Sequence, residues 1–371
     1  MNVDDLLLHI TTPATWRGAL AARSLTPPSF VTDGFVHLSH AAQLPLPANR
    51  LYAGRDDLLL LVVDPRRIPA DALHYEPGVP GDPASMRFPH LYAPLPVAAV
   101  TSVLPFRPGA DGVFGVPATL PDPDDPAARV ACFDRSVAER RAAVVVPLSH
   151  GVGVVDPRVR HSYEHNTLWF DGPLDAATVC ADAERVLGGF AHRRAVFDTP
   201  PPADLDWEID ELRLLVRDPH GASVPTPSPD VVTATHDGVT RLWDHMWRLQ
   251  LPDASDEVIE HLVRRERIID AHVVVIDFVV PASEPTGVPL AGAQLRIDGA
   301  TAAIEAVLTV PEARGRGLAR AVVDAAIVRA FEFGCDVVFL AAFADDWPRR
   351  WYERLGFVDV GARWEATRRS S

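Results

Sequence analysis

Strand and helix patterns alternate along the last third of this chain. Residues 231–235 read as a short strand, and 236–247 and 255–267 space their apolar positions as helices do. Residues 271–280, 291–298 and 302–310 are apolar runs of strand length, the latter two arranged as a hairpin. A helix is predicted over 319–333 and a strand over 336–342, followed by one more helix and a closing strand. The order β-α-α-β-β-β-α-β-α-β predicts an α/β (α+β) fold, a mixed sheet with flanking helices.

The middle of the chain has similar ingredients. Residues 144–147, 151–155, 192–198 and 211–216 read as strands, and 174–187 as a helix. Two stretches dense in Pro, Gly and Asp break the pattern, 107–128 and 217–229, the second including Asp218, Pro219, His220 and Gly221. They predict units at 1–108, 129–217 and 230–369, with a linker over 109–128, each of ordinary domain size.

Composition narrows the picture. The 371 residues are 47% hydrophobic and 23% charged, a globular balance. No apolar run reaches the ~20 residues of a membrane-spanning helix. The opening Met1, Asn2, Val3, Asp4 and Asp5 is acidic where a secretory leader would be basic. Cys132, Cys180 and Cys335 lie far apart, with neither a disulfide frame nor a zinc spacing, and each reads as a small core residue. The expectation is a cytoplasmic protein without membrane or metal. A net charge of −15 argues against a nucleic-acid partner. It favours cationic small molecules or amines, or serves solubility alone.

Arg314-Gly315-Arg316-Gly317-Leu318-Ala319 carries the clearest chemistry. The run follows a strand ended by Pro311 and precedes a helix. Free N–H groups and the helix dipole make such a junction an anion site. Gly315 and Gly317 let the main chain approach a pyrophosphate closely. Downstream come a second apolar run, 336–342, and Tyr352, Gly356 and Phe357. The pattern V-P-x-x-R-G-x-G-x-A, helix, strand, Y-x-x-x-G-F resembles the acetyl-CoA-binding core of the GNAT superfamily of N-acetyltransferases. The middle segment, which lacks the R-x-x-G-x-G/A turn, resembles a degenerate GNAT-like half, including Ser162-Tyr163-Glu164-His165-Asn166.

The resemblance implies a ligand and roles. Acetyl-CoA would lie along the strand around Leu308 and Val310, with an oxyanion donor near Leu308. Its pyrophosphate would meet the amides from Gly315 to Ala319, with charge from Arg314 or Arg316. Tyr352 would be the general acid. Glu305 is the leading general base, working through a water, and plain alternation sets it on the face of Val307 and Thr309. Asp345, Asp346, His245 and His272 are alternatives. The acceptor mouth is expected along the two helices 236–267 and the loop 281–290, with His245, Met246, Trp247, Asp253 and Asp256 as candidates. The reaction implied is N-acetyl transfer to a small-molecule or peptide amine by direct attack in a ternary complex.

Residues 6–104 resemble a second family. His9, Thr11, Trp16, Asp33-Gly34-Phe35-Val36-His37-Leu38-Ser39, Glu76 and Phe88-Pro89-His90-Leu91-Tyr92, in that order, are similar to domain-of-unknown-function family 952. That family is related to ADP-ribosyltransferase-like folds, which implies a cleft for NAD or a nucleotide. His9, Thr11, His37, Ser39, Glu76, His90 and Tyr92 sit in or beside apolar runs. Polar groups so placed share a network or line a cleft. Two further readings therefore stand beside the acetyltransferase: an NAD- or nucleotide-binding transferase centred on 9–92, and a regulator that only senses acyl-CoA.

Overall fold

The computed structural model describes residues 5–78, 86–217, 223–284 and 287–369. Asp218, Pro219, His220 and Gly221 of the boundary expected near 217–229 lie outside them.

The N-terminal portion forms small antiparallel sheets. Leu58–Val63 runs between Leu7–Thr11 and Val100–Phe106, and all six of its residues are buried. Side chains alternate across a strand. Leu59, Leu61 and Val63 therefore enter one apolar core, around Trp16 and Leu20, while Leu58, Leu60 and Val62 enter another, around Leu44 and Phe106. In a second sheet Arg87–Leu91 lies between Val36–His37 and Leu73–Pro77, so His90 is opposite both His37 and His74.

The rest of the chain builds one eleven-stranded sheet. From one edge its order is Val232–Thr233, Val274–Val280, Ala291–Asp298, Thr301–Thr309, Val337–Phe343, Glu208–Arg217, Phe357–Arg369, His192–Phe197, Thr167–Phe170, Gly151–Val155 and Val144–Leu148. The elements expected over 231–369 are present in the expected order. Their partition is different. Glu208–Arg217, assigned to the middle unit by sequence, inserts between Val337–Phe343 and Phe357–Arg369. Phe357–Arg369 in turn pairs with His192–Phe197. The boundary expected near 217–229 therefore cuts through a continuous sheet, and each half completes the other.

A helix that the pattern reading missed, Pro126–Arg141, joins the halves from one face. Its first turn falls inside the expected linker. Asp125 caps it, accepting from Ala127 and Ala128 N–H at 2.9 and 3.2 Å, and Pro126 fits the first helical position. Val130, Phe133 and Val137, at helical spacing, pack on Leu214, Ala303 and Phe339. On the opposite face Leu318–Glu332 packs Val322, Val323, Ala326 and Ile327 against Ala302 and Ile304.

The N-terminal portion docks on the turn that precedes Thr301–Thr309. Ala300 N–H donates to Val100 O at 2.7 Å, Thr301 Oγ1 to Thr101 O at 3.0 Å, and Trp16 Nε1 to Asp298 Oδ1 at 2.7 Å. Buried Arg129 donates to Asp336 Oδ1 at 2.8 Å, and Arg67 also pairs with Asp336. Gly299, at φ +69, is required here, since a Cβ would stand 2.2 Å from Val100 O.

Candidate active site

Two neighbouring strands part at the centre of the sheet. Thr301–Thr309 runs parallel to Val337–Phe343 only at Thr301, Ala302 and Ala303, opposite Val337, Val338 and Phe339. Beyond that point Val337–Phe343 stays paired with Glu208–Arg217, and Thr301–Thr309 with Ala291–Asp298. The facing edges lose each other as partners, and a cleft of about 760 Å³ opens beside them. It is lined by Val307, Leu308 and Thr309, the turn around Arg314, Gly315 and Gly317, and by Met246, Trp351 and Tyr352.

A bulge sets which groups face the cleft. Gln294 is opposite Glu305 while Gly292 is opposite Leu308, so an extra residue is inserted, and Ala306 adopts φ +49. A non-glycine residue in that region is uncommon, and bulges of this kind re-aim side chains. The expected alternation is thereby broken. Val307 and Thr309 line the cleft, whereas Glu305 lines a separate charged cavity of about 190 Å³.

The main-chain assignment also changes. Val310 N–H donates to Leu290 O at 3.0 Å, so it is committed to sheet pairing. Main-chain groups alternate sides along a strand, so Leu308, in register with Gly292, also faces its neighbour. Thr309, and Val307 beyond the bulge, direct their main chain to the gap. Val310 and Leu308 were expected there.

The glycine turn fits an anionic ligand. Gly317 caps the helix Leu318–Glu332 at φ +79 and brings no side chain to its N–H groups. Ala321 N–H is the one that returns to Gly317 O, at 3.1 Å, which leaves the first-turn amides of Leu318, Ala319 and Arg320 without an intrahelical acceptor. A Cβ at Gly315 or Gly317 would meet nothing within 4 Å, so the space above both is open. Arg314 and Arg316 are exposed, and among the described residues neither is in an ion pair. The corresponding helix of the middle segment, Ala176–Leu187, is unlike this: the Asp175 carboxylate accepts from Thr178 N–H at 2.8 Å and already fills the anion position. There the strands Thr167–Phe170 and His192–Phe197 stay paired to their ends.

Tyr352 is buried against Trp351 and Phe357. Burial raises its hydroxyl above the usual tyrosine range, and the charge of Glu305 raises it further. Glu305 itself is pushed up to about 7, first by burial; Arg296 opposes the shift, and Asp134 and Glu164 add to it.

Other expected candidates are elsewhere. Asp346 caps the helix Trp347–Arg354 through Trp347 N–H at 2.7 Å, and Asp345 is exposed. His272, lowered to about 4 mainly by burial, lines a cavity against the N-terminal portion. Met246 does line the cleft, but His245, Trp247, Asp253 and Asp256 do not. Trp247 lies under the Arg265 guanidinium and Asp256 pairs with Arg248. The middle segment supplies unexpected members to the charged cavity: Asp134, Arg141, Glu164, Trp169 and Arg194. Glu164 belongs to the Ser162–Asn166 stretch, whose sequence gives it no role.

The N-terminal candidates do come together. His9 Nδ1 lies 2.8 Å from His37 O, and His37 Nε2 lies 2.9 Å from Asp33 Oδ2. Tyr92 donates to Glu76 at 2.8 Å, and the His90 ring stacks on Phe35 at 4.0 Å. His9, Thr11, His37 and Ser39 line a cleft of about 760 Å³, with Glu76, His90 and Tyr92 beside it. Burial lowers His9 to about 4, so its ring is neutral at physiological pH.

A splayed central strand pair beside a helix N-terminus with no side-chain cap defines an α/β domain with an open strand edge and an anion site. Residues 239–357 match the Acetyltransferase (GNAT) family, and residues 10–103 match the family Protein of unknown function (DUF952). The chain thus carries a DUF952 domain at its N-terminus and a GNAT acetyltransferase domain at its C-terminus. Protein CC0527 from Caulobacter crescentus, known from its crystal structure, is 34% identical over 29% of this chain and 92% of its own, with a TM-score of 0.27. A GCN5-related N-acetyltransferase from Kribbella flavida is 18% identical over 64% of this chain and 96% of its own, with a TM-score of 0.45. A putative GNAT-family acetyltransferase from Novosphingobium aromaticivorans is 21% identical over 48% and 75%, with a TM-score of 0.35. No curated protein matches the chain. Among the described residues no helix is long and apolar enough to cross a membrane.

Proposed function

We propose that the protein is an acetyl-CoA-dependent N-acetyltransferase that works by direct attack in a ternary complex. The observation that carries this reading is the parting of Thr301–Thr309 from Val337–Phe343 beside a helix N-terminus with no side-chain cap. The open edge suits an amide-bearing arm, and the Gly315–Gly317 turn suits a pyrophosphate. Thr309 and Val307 offer the main-chain groups that face the gap, and Arg314 or Arg316 adds charge.

Glu305 takes a proton from the acceptor ammonium, through a water, at a pKa matched to neutral pH. The freed nitrogen forms the new C–N bond as the thioester C–S bond breaks. Tyr352 gives its proton to the departing sulfur. The proton shed by the nitrogen on becoming an amide restores Tyr352, and Glu305 returns its own to solvent. The middle half serves as a structural partner, because Asp175 repels an anion where a second coenzyme would bind.

Calorimetry with acetyl-CoA, followed by thiol release with an amine panel, tests the reading. Micromolar binding with amine-dependent thiol release is the expected result. Failure to bind acetyl-CoA would overturn it, and binding without turnover of any amine would favour a coenzyme-sensing role.

A further inference from the structure

Helix Asp256–Ile268 packs on the turn Pro157–Val159 of the middle half and on the residues just after it. Arg265 of the helix donates to Ser162 Oγ at 3.5 Å and lies 3.7 Å from Glu164. Earlier along the same helix three ligand-bearing side chains meet across this seam: His161 from the middle half, and Glu257 and His261 from the helix. Each offers an atom within 4.8 Å of the other two. Glu257 and His261, four residues apart, share one face of the helix.

The spacing suits a metal ion. His161 Nε2 lies 3.6 Å from Glu257 Oε1, and the two imidazole rings stand 5.1 Å apart, tilted by 33°. Ligands held at ~2.0–2.2 Å by one tetrahedral ion are about 3.3–3.6 Å from each other. The first pair already has that spacing, and a side-chain adjustment of His261 completes the set. Protein covers His261 Nδ1, which leaves Nε2 as its ligand atom. Among the described residues no hydrogen bond engages either imidazole.

The loop that presents His161 is held in place before any ion arrives. Buried Asn166 accepts from Asp156 N–H at 2.8 Å and donates to Val159 O at 3.1 Å and Ser162 O at 2.9 Å. Ligands on preorganised elements bind without a cost of ordering. Two imidazoles and a carboxylate favour zinc and its first-row neighbours over calcium or magnesium, which take shells of oxygen.

We propose that His161, Glu257 and His261 form a site for a zinc-class divalent cation, with water in the fourth position, that ties the middle half to the C-terminal half. Sequence spacing does not reveal it, because the ligands come from distant segments. Such a site is independent of acetyl transfer.

The test uses the full chain without a histidine tag, stripped with a chelator and titrated with ZnCl2 by calorimetry. One ion per chain should bind with a micromolar or tighter Kd, and MgCl2 and CaCl2 should give no binding heat. Cobalt(II) in place of zinc should show the visible absorption of a four-coordinate ion. His161→Ala and His261→Ala should each weaken zinc binding about tenfold or more, whereas His150→Ala, at an exposed histidine elsewhere, should not. Glu257→Gln, on a side chain 67% exposed, should weaken it without disturbing packing, and melts in chelator establish that each variant is folded. Zinc should slow amide exchange in both 156–166 and 256–268. Absence of zinc binding overturns the proposal. So does affinity unchanged in either histidine variant, or protection confined to one of the two segments.

Discussion

The charge on Glu305 helps to keep the proton on Tyr352. The two belong to different cavities, since the Ala306 bulge turns Glu305 toward the charged space while Tyr352 lines the cleft beside the parted strands. When Glu305 takes up a proton, part of what raises Tyr352 is removed. On the proposed mechanism the acid would strengthen as the base is loaded, which is the order that acetyl transfer needs.

Glu305, pushed up to about 7, must be deprotonated to act as base. Activity should therefore be low well below pH 7 and rise as the pH climbs through it. We expect kcat/KM to show this acidic limb, and Glu305→Gln to abolish it while lowering kcat by ~10²–10⁴-fold. Acetyl-CoA affinity should be retained. A limb that persists unchanged in the variant would remove Glu305 from the mechanism.

Tyr352→Phe keeps the packing against Trp351 and Phe357 but deletes the proton donor. The expected outcome is a fall in kcat of ~10²-fold or more, with acetyl-CoA Kd changed by less than about threefold. Steady-state kinetics and calorimetry check both, and an unaltered kcat would assign Tyr352 to packing alone.

Gly317→Glu places bulk and negative charge over the helix N-terminus, where open space and free amides now stand. It also asks a non-glycine residue to hold φ +79. Coenzyme binding should vanish in calorimetry. Gly317→Asn, which tolerates that backbone region and adds no charge, should lose much less. Normal affinity in the glutamate variant would contradict the turn assignment.

Asp336 links the N-terminal portion to the sheet. Burial opposes its charge, but hydrogen bonds from Arg129 and Arg67 outweigh it and hold the carboxyl down at about 2. A depressed carboxylate stabilises the fold above its unfolded pKa and ceases to do so as pH falls through the folded one. This contribution should be complete above about pH 4 and fade toward pH 2. Asp336→Ala removes the carboxylate from Arg129, which keeps its bonds to Ala300 O and Thr301 Oγ1; because Asp336 is 36% exposed, the expected loss is ~1–2 kcal/mol, below that of a fully buried pair. Urea midpoints at pH 7 and pH 3 check it: the gap between wild type and variant should narrow at the lower pH.

Local pattern was enough for the glycine turn that leads into the helix Leu318–Glu332. Apolar period, Pro311, Gly315, Gly317 and the Tyr352-to-Phe357 spacing are neighbours in sequence, and each obeys a local rule of backbone freedom or helix ends. The strand and helix order over 231–369, and the gathering of His9, His37 and His90, were legible for the same reason. Three features were not. Helix Pro126–Arg141 hid behind a run of prolines, although Asp125 and Pro126 form a cap and first-turn signal. The Ala306 bulge arises only against its partner strand, so alternation misplaced Glu305 and the main-chain groups around Leu308 and Val310. The exchange of Glu208–Arg217 and Phe357–Arg369 between halves is a choice of long-range partners, and with it comes the arginine-lined cavity. Sequence alone settles what each segment can form; which edges meet depends on the burial that each pairing gains, and that is decided only when the whole sheet is assembled.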